Sequence, residues 1–153
     1  MEGSRAPYTQ RYRVGWGDVD GNRHMANTAF LDRAADTRVL FFADHGYPAA
    51  RFASDHIGPV IVRDTLVYRK ELRMLDEFTV DLESLGVSSD GTRFEICNTF
   101  RNQAGEVAAV VTSEGVWLDL DARRPRAPPP DLDRVQREAP RHPEFKEIPA
   151  RTR

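Results

Sequence analysis

The spacing of apolar residues changes character twice along the chain. Tyr8, Tyr12 and Val14 sit among polar neighbours and predict a short strand over 8–14. Gly15 to Arg23 then holds three glycines, two aspartates and an asparagine, a composition that breaks regular structure. From about Met25 to Asp44 the period becomes helical. Ala26, Phe30, Ala34 and Phe41 recur close to every 3.6 residues, and Leu31, Ala35 and Phe42 widen the apolar face. Asn27 or Thr28 is the expected cap at the start, Gly46 closes the end, and Pro48 blocks continuation.

After Ile57 the pattern is that of strands. Val60 to Lys70 is one long β-rich run, and Phe78, Val80 and Leu82 alternate with Thr79, Asp81 and Glu83. Ser88–Gly91 predicts a turn into a strand over 93–101, where Phe94, Ile96 and Phe100 share a face. Asn102–Gly105 predicts a second turn, into a strand from Glu106 to about Asp119. The expected order is a strand, one long helix and four antiparallel strands in a meander, an α+β arrangement. The expected domain is 1–119. Residues 120–153 hold seven of the ten prolines and are expected as an extended or partly disordered tail on the surface, with Leu132, Val135 and Phe145 available to dock.

Composition narrows the function classes. A length of 153 residues suits one domain, and 40% hydrophobic with 30% charged residues suits a globular chain. A net charge of −2 argues against nucleic acid as a partner. The single cysteine, Cys97, excludes an internal disulfide and a cysteine-rich zinc site, and mid-strand it is expected to pack. No signal peptide follows Met1–Arg5, and no apolar run approaches the ~18 residues of a membrane span, so a cytoplasmic location with no membrane partner is expected.

The chemistry concentrates in Trp16-Gly17-Asp18-Val19-Asp20-Gly21-Asn22-Arg23-His24-Met25-Ala26-Asn27, a loop that feeds the helix. A helix N-terminus presents unpaired N–H groups and partial positive charge, so it can polarise a carbonyl. Asp20 lies just before that terminus, and an aspartate is ionised at neutral pH, able to attack a carbon or activate water. Thioester hydrolysis needs these two parts and no metal. The pattern W-x-D-x-D-x-x-x-H-x-x-N, with Phe30-Leu31 and the helix after it, resembles the 4-hydroxybenzoyl-CoA thioesterase branch of the hot-dog superfamily. Gly46-Tyr47, Gly58–Val62, Tyr68–Leu72 and Asp76–Val80 extend the resemblance over residues 8–119.

That resemblance implies a hot-dog fold, with an antiparallel sheet of about five strands wrapped around one long helix. It implies an acyl-CoA substrate, Asp20 as the catalytic nucleophile or general base, the Asn27 backbone N–H as the thioester-oxygen site, and His24 with the Asn27 side chain as residues that shape the pocket and orient the carboxylate loop. No cofactor is implied beyond the coenzyme A of the substrate. The partner implied is a second copy, as a homodimer or a dimer of dimers, with each pocket completed across the interface. Arg63, Arg69 and Arg93, with Lys70 and Arg101, are candidates for the coenzyme phosphates by strand location, and Trp16 borders the loop. Two departures stand out. Many relatives have glycine where this chain has Arg23, and many have tyrosine where it has Phe30.

Simpler readings apply to several residues. Asp18 is a turn residue, and Trp16 and Trp117 are more often packing residues than ligand platforms. Asp18-x-Asp20-x-Asn22 imitates the start of an EF-hand but has Arg23 and Ala29 where glycine and glutamate belong. His45, His56 and His142 are expected to be solvated, and no G-x-S-x-G elbow signals a serine triad. Two alternatives share the fold: a thioesterase acting on acyl carrier protein, and a non-catalytic acyl-CoA-binding protein. A hot-dog dehydratase fits less well, because Asp20 and His24 are four apart with no proline between them.

Overall fold

The computed structural model describes residues 5–149; residues 1–4 and 150–153, the outer ends of the expected domain and tail, lie outside the described residues. Helix α1 (Asn27–Asp44) lies across one face of an antiparallel sheet. Ala29, Phe30, Ala34, Thr37, Phe41 and Phe42 are its buried residues, which repeat the helical spacing of the sequence. The strands are β1 (Tyr8–Arg13), β2 (Ile57–Tyr68), β3 (Glu77–Val87), β4 (Arg93–Asn102) and β5 (Val107–Asp119), with a two-residue β6 (Arg124–Pro125) on the end of β5. This is the hot-dog fold, an α+β arrangement in which the sheet curls around the long helix.

Strand order is β1-β3-β4-β5-β2. Only β3, β4 and β5 form the expected meander. β2 pairs instead with β5, from Ile57 opposite Asp119 to Tyr68 opposite Ala109, and so becomes an edge. The connection after β2 shows why. Leu72 is buried and its carbonyl accepts the Met25 N–H at 2.7 Å, so the chain is drawn to the start of α1 before it can turn back beside β2.

The core has two apolar clusters. One holds Val14, Phe30, Leu72, Phe78 and Phe100 at the N-terminal end of α1; the other holds Phe41, Tyr47, Ile57, Phe94 and Trp117 at its C-terminal end. Polar contacts mark the boundary between them. Thr37 Oγ1 lies 2.9 Å from the Tyr12 hydroxyl, and Arg38 donates to Ser113 Oγ at 2.7 Å. Ser113 in turn donates to Asp64 at 2.6 Å. Burial pulls the Arg38 pKa down, and the nearby Asp64 carboxylate opposes that shift.

Two short helices were not anticipated. α2 (Ala49–Asp55) follows Pro48, and α3 (Pro130–Glu138) forms where the proline content suggested an extended chain. Its first helical residue is Pro130, whose missing N–H is no loss there, with Asp131 and Asp133 in the first turn and Arg137 in the last. Leu132 and Val135 are buried in the second apolar cluster. Further along, Phe145 is half-buried under the Arg141 guanidinium.

Candidate active site

The loop between β1 and α1 is a small hairpin. Asp18 O accepts the Ala26 N–H at 2.7 Å, Val19 bridges Met25, and the Asp20 N–H bonds His24 O at 2.9 Å. At the tip Arg23 has φ 65°, the left-handed region that a glycine would occupy without steric cost. A 3-10 turn at Trp16–Asp18 leads in. Asp18 is the fastener: Oδ2 accepts the Gly15 N–H at 2.8 Å, and Oδ1 pairs with Arg33 of α1 at 2.9 Å.

Asp20 stands differently. Its Oδ1 accepts the N–H groups of Asn22 at 2.8 Å and His24 at 3.3 Å. Its Oδ2 has no hydrogen bond among the described residues, and the residue is exposed. One oxygen is fixed by the loop and the other is open. Ala26, not Asn27 or Thr28, occupies the cap position of α1 and offers no side chain to it. Among the described residues the N–H groups of Asn27 and Thr28 therefore have no acceptor, as an oxyanion site requires.

His24 Nε2 lies 2.5 Å from Glu71 Oε2, and Arg73 donates to Glu71 Oε1 at 2.8 Å. The Arg73 hydrogen bond, followed by the charges of His24 and Arg73, holds the Glu71 carboxyl below its usual range. This contact and the His24–Arg73 bridge tie the hairpin to the connection after β2. The contacts of Glu71, Arg33 and Leu72 with the loop are not legible in the sequence, because these residues reach it from distant positions. No local spacing signals such contacts.

The other candidates separate in space. Trp16 is 82% exposed and so is not a core packing residue, whereas Trp117 is buried. Arg63 pairs with Glu114 at 3.3 Å, and Arg93 reaches Pro149 O at 3.2 Å. Both line one hollow on the sheet face away from α1 and are not brought to the Asp20 loop. Arg69 lies just past β2, exposed, with its N–H on Ala108 O. His45 is not free in solvent: it is half-buried, and its Nδ1 lies 2.7 Å from Phe41 O. Among the described residues, no group of three or more His, Cys, Asp and Glu side chains could hold a metal ion, and no helix is long and apolar enough to cross a membrane.

The curled sheet around a central helix defines a hot-dog protein. The chain belongs to the thioesterase-like superfamily, whose model matches residues 14–136. No curated protein matches it. Among solved structures it is similar to a Staphylococcus aureus protein of hypothetical function in complex with CoA, at 20% identity and a TM-score of 0.79, covering 96% of this chain and 89% of that one. It is also similar to a 1,4-dihydroxy-2-naphthoyl-CoA thioesterase from Synechocystis, at 14% identity and a TM-score of 0.77, covering 87% of this chain and 97% of that one. A gentisyl-coenzyme A thioesterase gives 19% identity and a TM-score of 0.74, covering 83% of this chain and 98% of that one. At these identities the likeness is one of fold.

Proposed function

We propose that this protein hydrolyses acyl-CoA thioesters to a carboxylic acid and free coenzyme A. The observation that carries the reading is Asp20: a carboxylate with one oxygen held by two loop N–H groups, in a hairpin that closes directly onto an uncapped helix N-terminus. In this reading the thioester oxygen takes the Asn27 N–H, which polarises the carbonyl carbon. Asp20 then attacks that carbon or removes a proton from the water that does. The C–S bond breaks and coenzyme A leaves as the thiolate, which takes up a proton from the water consumed. Where Asp20 itself attacks, that water then hydrolyses the acyl-aspartyl anhydride, releasing the acid and restoring the carboxylate. His24 holds the hairpin through Glu71 and acts by position.

The same reading needs a second copy of the chain. β2 is a 12-residue edge strand on which Val60, Val62, Val67 and Tyr68 are exposed, an apolar edge that a monomer would leave open to aggregation. Two such edges pair antiparallel about a two-fold axis, giving a homodimer that light scattering would report as twice the chain mass.

The test is thiol release from a panel of aliphatic and aromatic acyl-CoAs, run with the wild type and with Asp20→Asn. Circular dichroism checks that the variant keeps its fold. The expected loss is about 10²–10⁴-fold, the worth of a general base. A loss below about tenfold removes Asp20 from this role. Turnover only on acyl carrier protein would change the carrier, and binding without turnover on either would leave a binding protein.

A further inference from the structure

Behind the C-terminal half of α1 lies a cavity of about 340 Å³, far along the helix from the Asp20 loop. Its size falls within the ~300–1,000 Å³ of small-molecule sites. The floor is formed by Phe42, Phe94 and Trp117, all buried. The mouth lies between Val39 on α1, 57% exposed, Ala49 at the start of α2 and Pro59 on β2. It therefore opens at the sheet edge where a second copy would join.

Of the three polar side chains in the wall, Arg38 and Gln136 are turned to other partners, and Ser84 contributes one buried hydroxyl. Gln136 Oε1 accepts from Trp117 Nε1 at 2.9 Å, and its Nε2 donates to Gly91 O and Asp133 Oδ1. Arg38, the one charged lining residue, donates to Ser113, which donates to Asp64; neither of those two lines the cavity. A molecule inside meets hydrocarbon on nearly every side.

The geometry points to this cavity as the receptor of the acyl group, and to an unsubstituted aliphatic chain as the substrate class. The inference rests on the thioesterase reading above. Pairing two β2 edges about a two-fold axis reverses the direction of α1 in the partner, so the partner's Asp20 loop comes to this end of the helix and its thioester faces the mouth. Each methylene moved from water into such a site gains about fourfold in affinity. A hydroxyl carried into it without a partner loses up to about 10²-fold.

The experiment compares kcat/KM for acetyl-, hexanoyl-, octanoyl- and ω-hydroxyoctanoyl-CoA, with direct calorimetry of octanoate binding. In the wild type, kcat/KM should rise with chain length and fall at least tenfold for the hydroxylated chain. Ala49→Phe and Val39→Phe both place a ring at the mouth from exposed positions, so the fold is kept. Each should cut the octanoyl-to-acetyl ratio at least tenfold and weaken octanoate binding. A flat chain-length profile with Asp20-dependent turnover, or a hydroxylated chain used equally well, overturns the cavity reading and leaves the hydrolase. Octanoate binding that Ala49→Phe abolishes, with no turnover of any ester, supports the cavity and overturns the hydrolase.

Discussion

Arg23 and Leu75 hold the left-handed backbone region that L side chains avoid, with φ 65° and 70°. Arg23 shapes the hairpin tip that presents Asp20. Leu75 is 65% exposed, and its N–H donates to Val14 O at 2.8 Å, a bond that glycine would keep. Left-handed strain costs about 1–2 kcal/mol, and glycine costs about 0.5–1 kcal/mol in lost chain entropy. Leu75→Gly should therefore stabilise the protein by about 0.5–1 kcal/mol, read from the urea midpoint; a fall would show that the Leu75 side chain makes a contact worth more than the strain. At this scale the sequence was most informative where the chemistry is contiguous. Asp20, His24 and Asn27 lie within eight residues, so their loop was legible, whereas Glu71 and Arg33 reach it only through the fold.

Elements followed their periodicity with differing success. α1 and the strands over 77–119 were visible because one face of each is buried and the alternation records it. α3 was hidden behind its prolines, although Leu132 and Val135 are spaced for one helical face. Its hold on the sheet is specific. Gln136 accepts from the buried Trp117 indole and donates to Gly91 O, while a Cβ on Gly91 would meet Asp133 Oδ1 at 2.3 Å. Gln136→Ala leaves the indole N–H and the Gly91 carbonyl without these partners inside the protein. A stability loss of about 1–3 kcal/mol is expected, measurable by urea denaturation, and a loss near zero would mean that the groups find other partners.

For the molecule as a whole, all four tyrosines titrate higher than usual. Burial and the Asp44 carboxylate push Tyr8 up to about 12, and burial with Asp55 raises Tyr47 further. Burial also raises Tyr12 and Tyr68. In the unfolded chain these phenols ionise near ~10. Above that pH the unfolded state has released protons that the native state still holds, so stability is complete below ~10 and falls as pH rises toward the native values. Phenolate absorbance of the native protein should lag that of the urea-unfolded protein across this window; coincident curves would contradict the burial of these hydroxyls. The same scale separates what the chain states by itself from what folding adds. Sequence alone determined the helix, the strands, the α+β class and the acid-bearing loop, because periodicity and contiguous motifs are local properties. Tertiary structure decided that β2 crosses to pair with β5, that Glu71 and Arg33 fix the loop, and that Arg63 and Arg93 lie on the face away from α1. It also placed a cavity at the far end of α1. Each of these depends on residues distant in sequence meeting in space, and no one-dimensional pattern records which of them will meet.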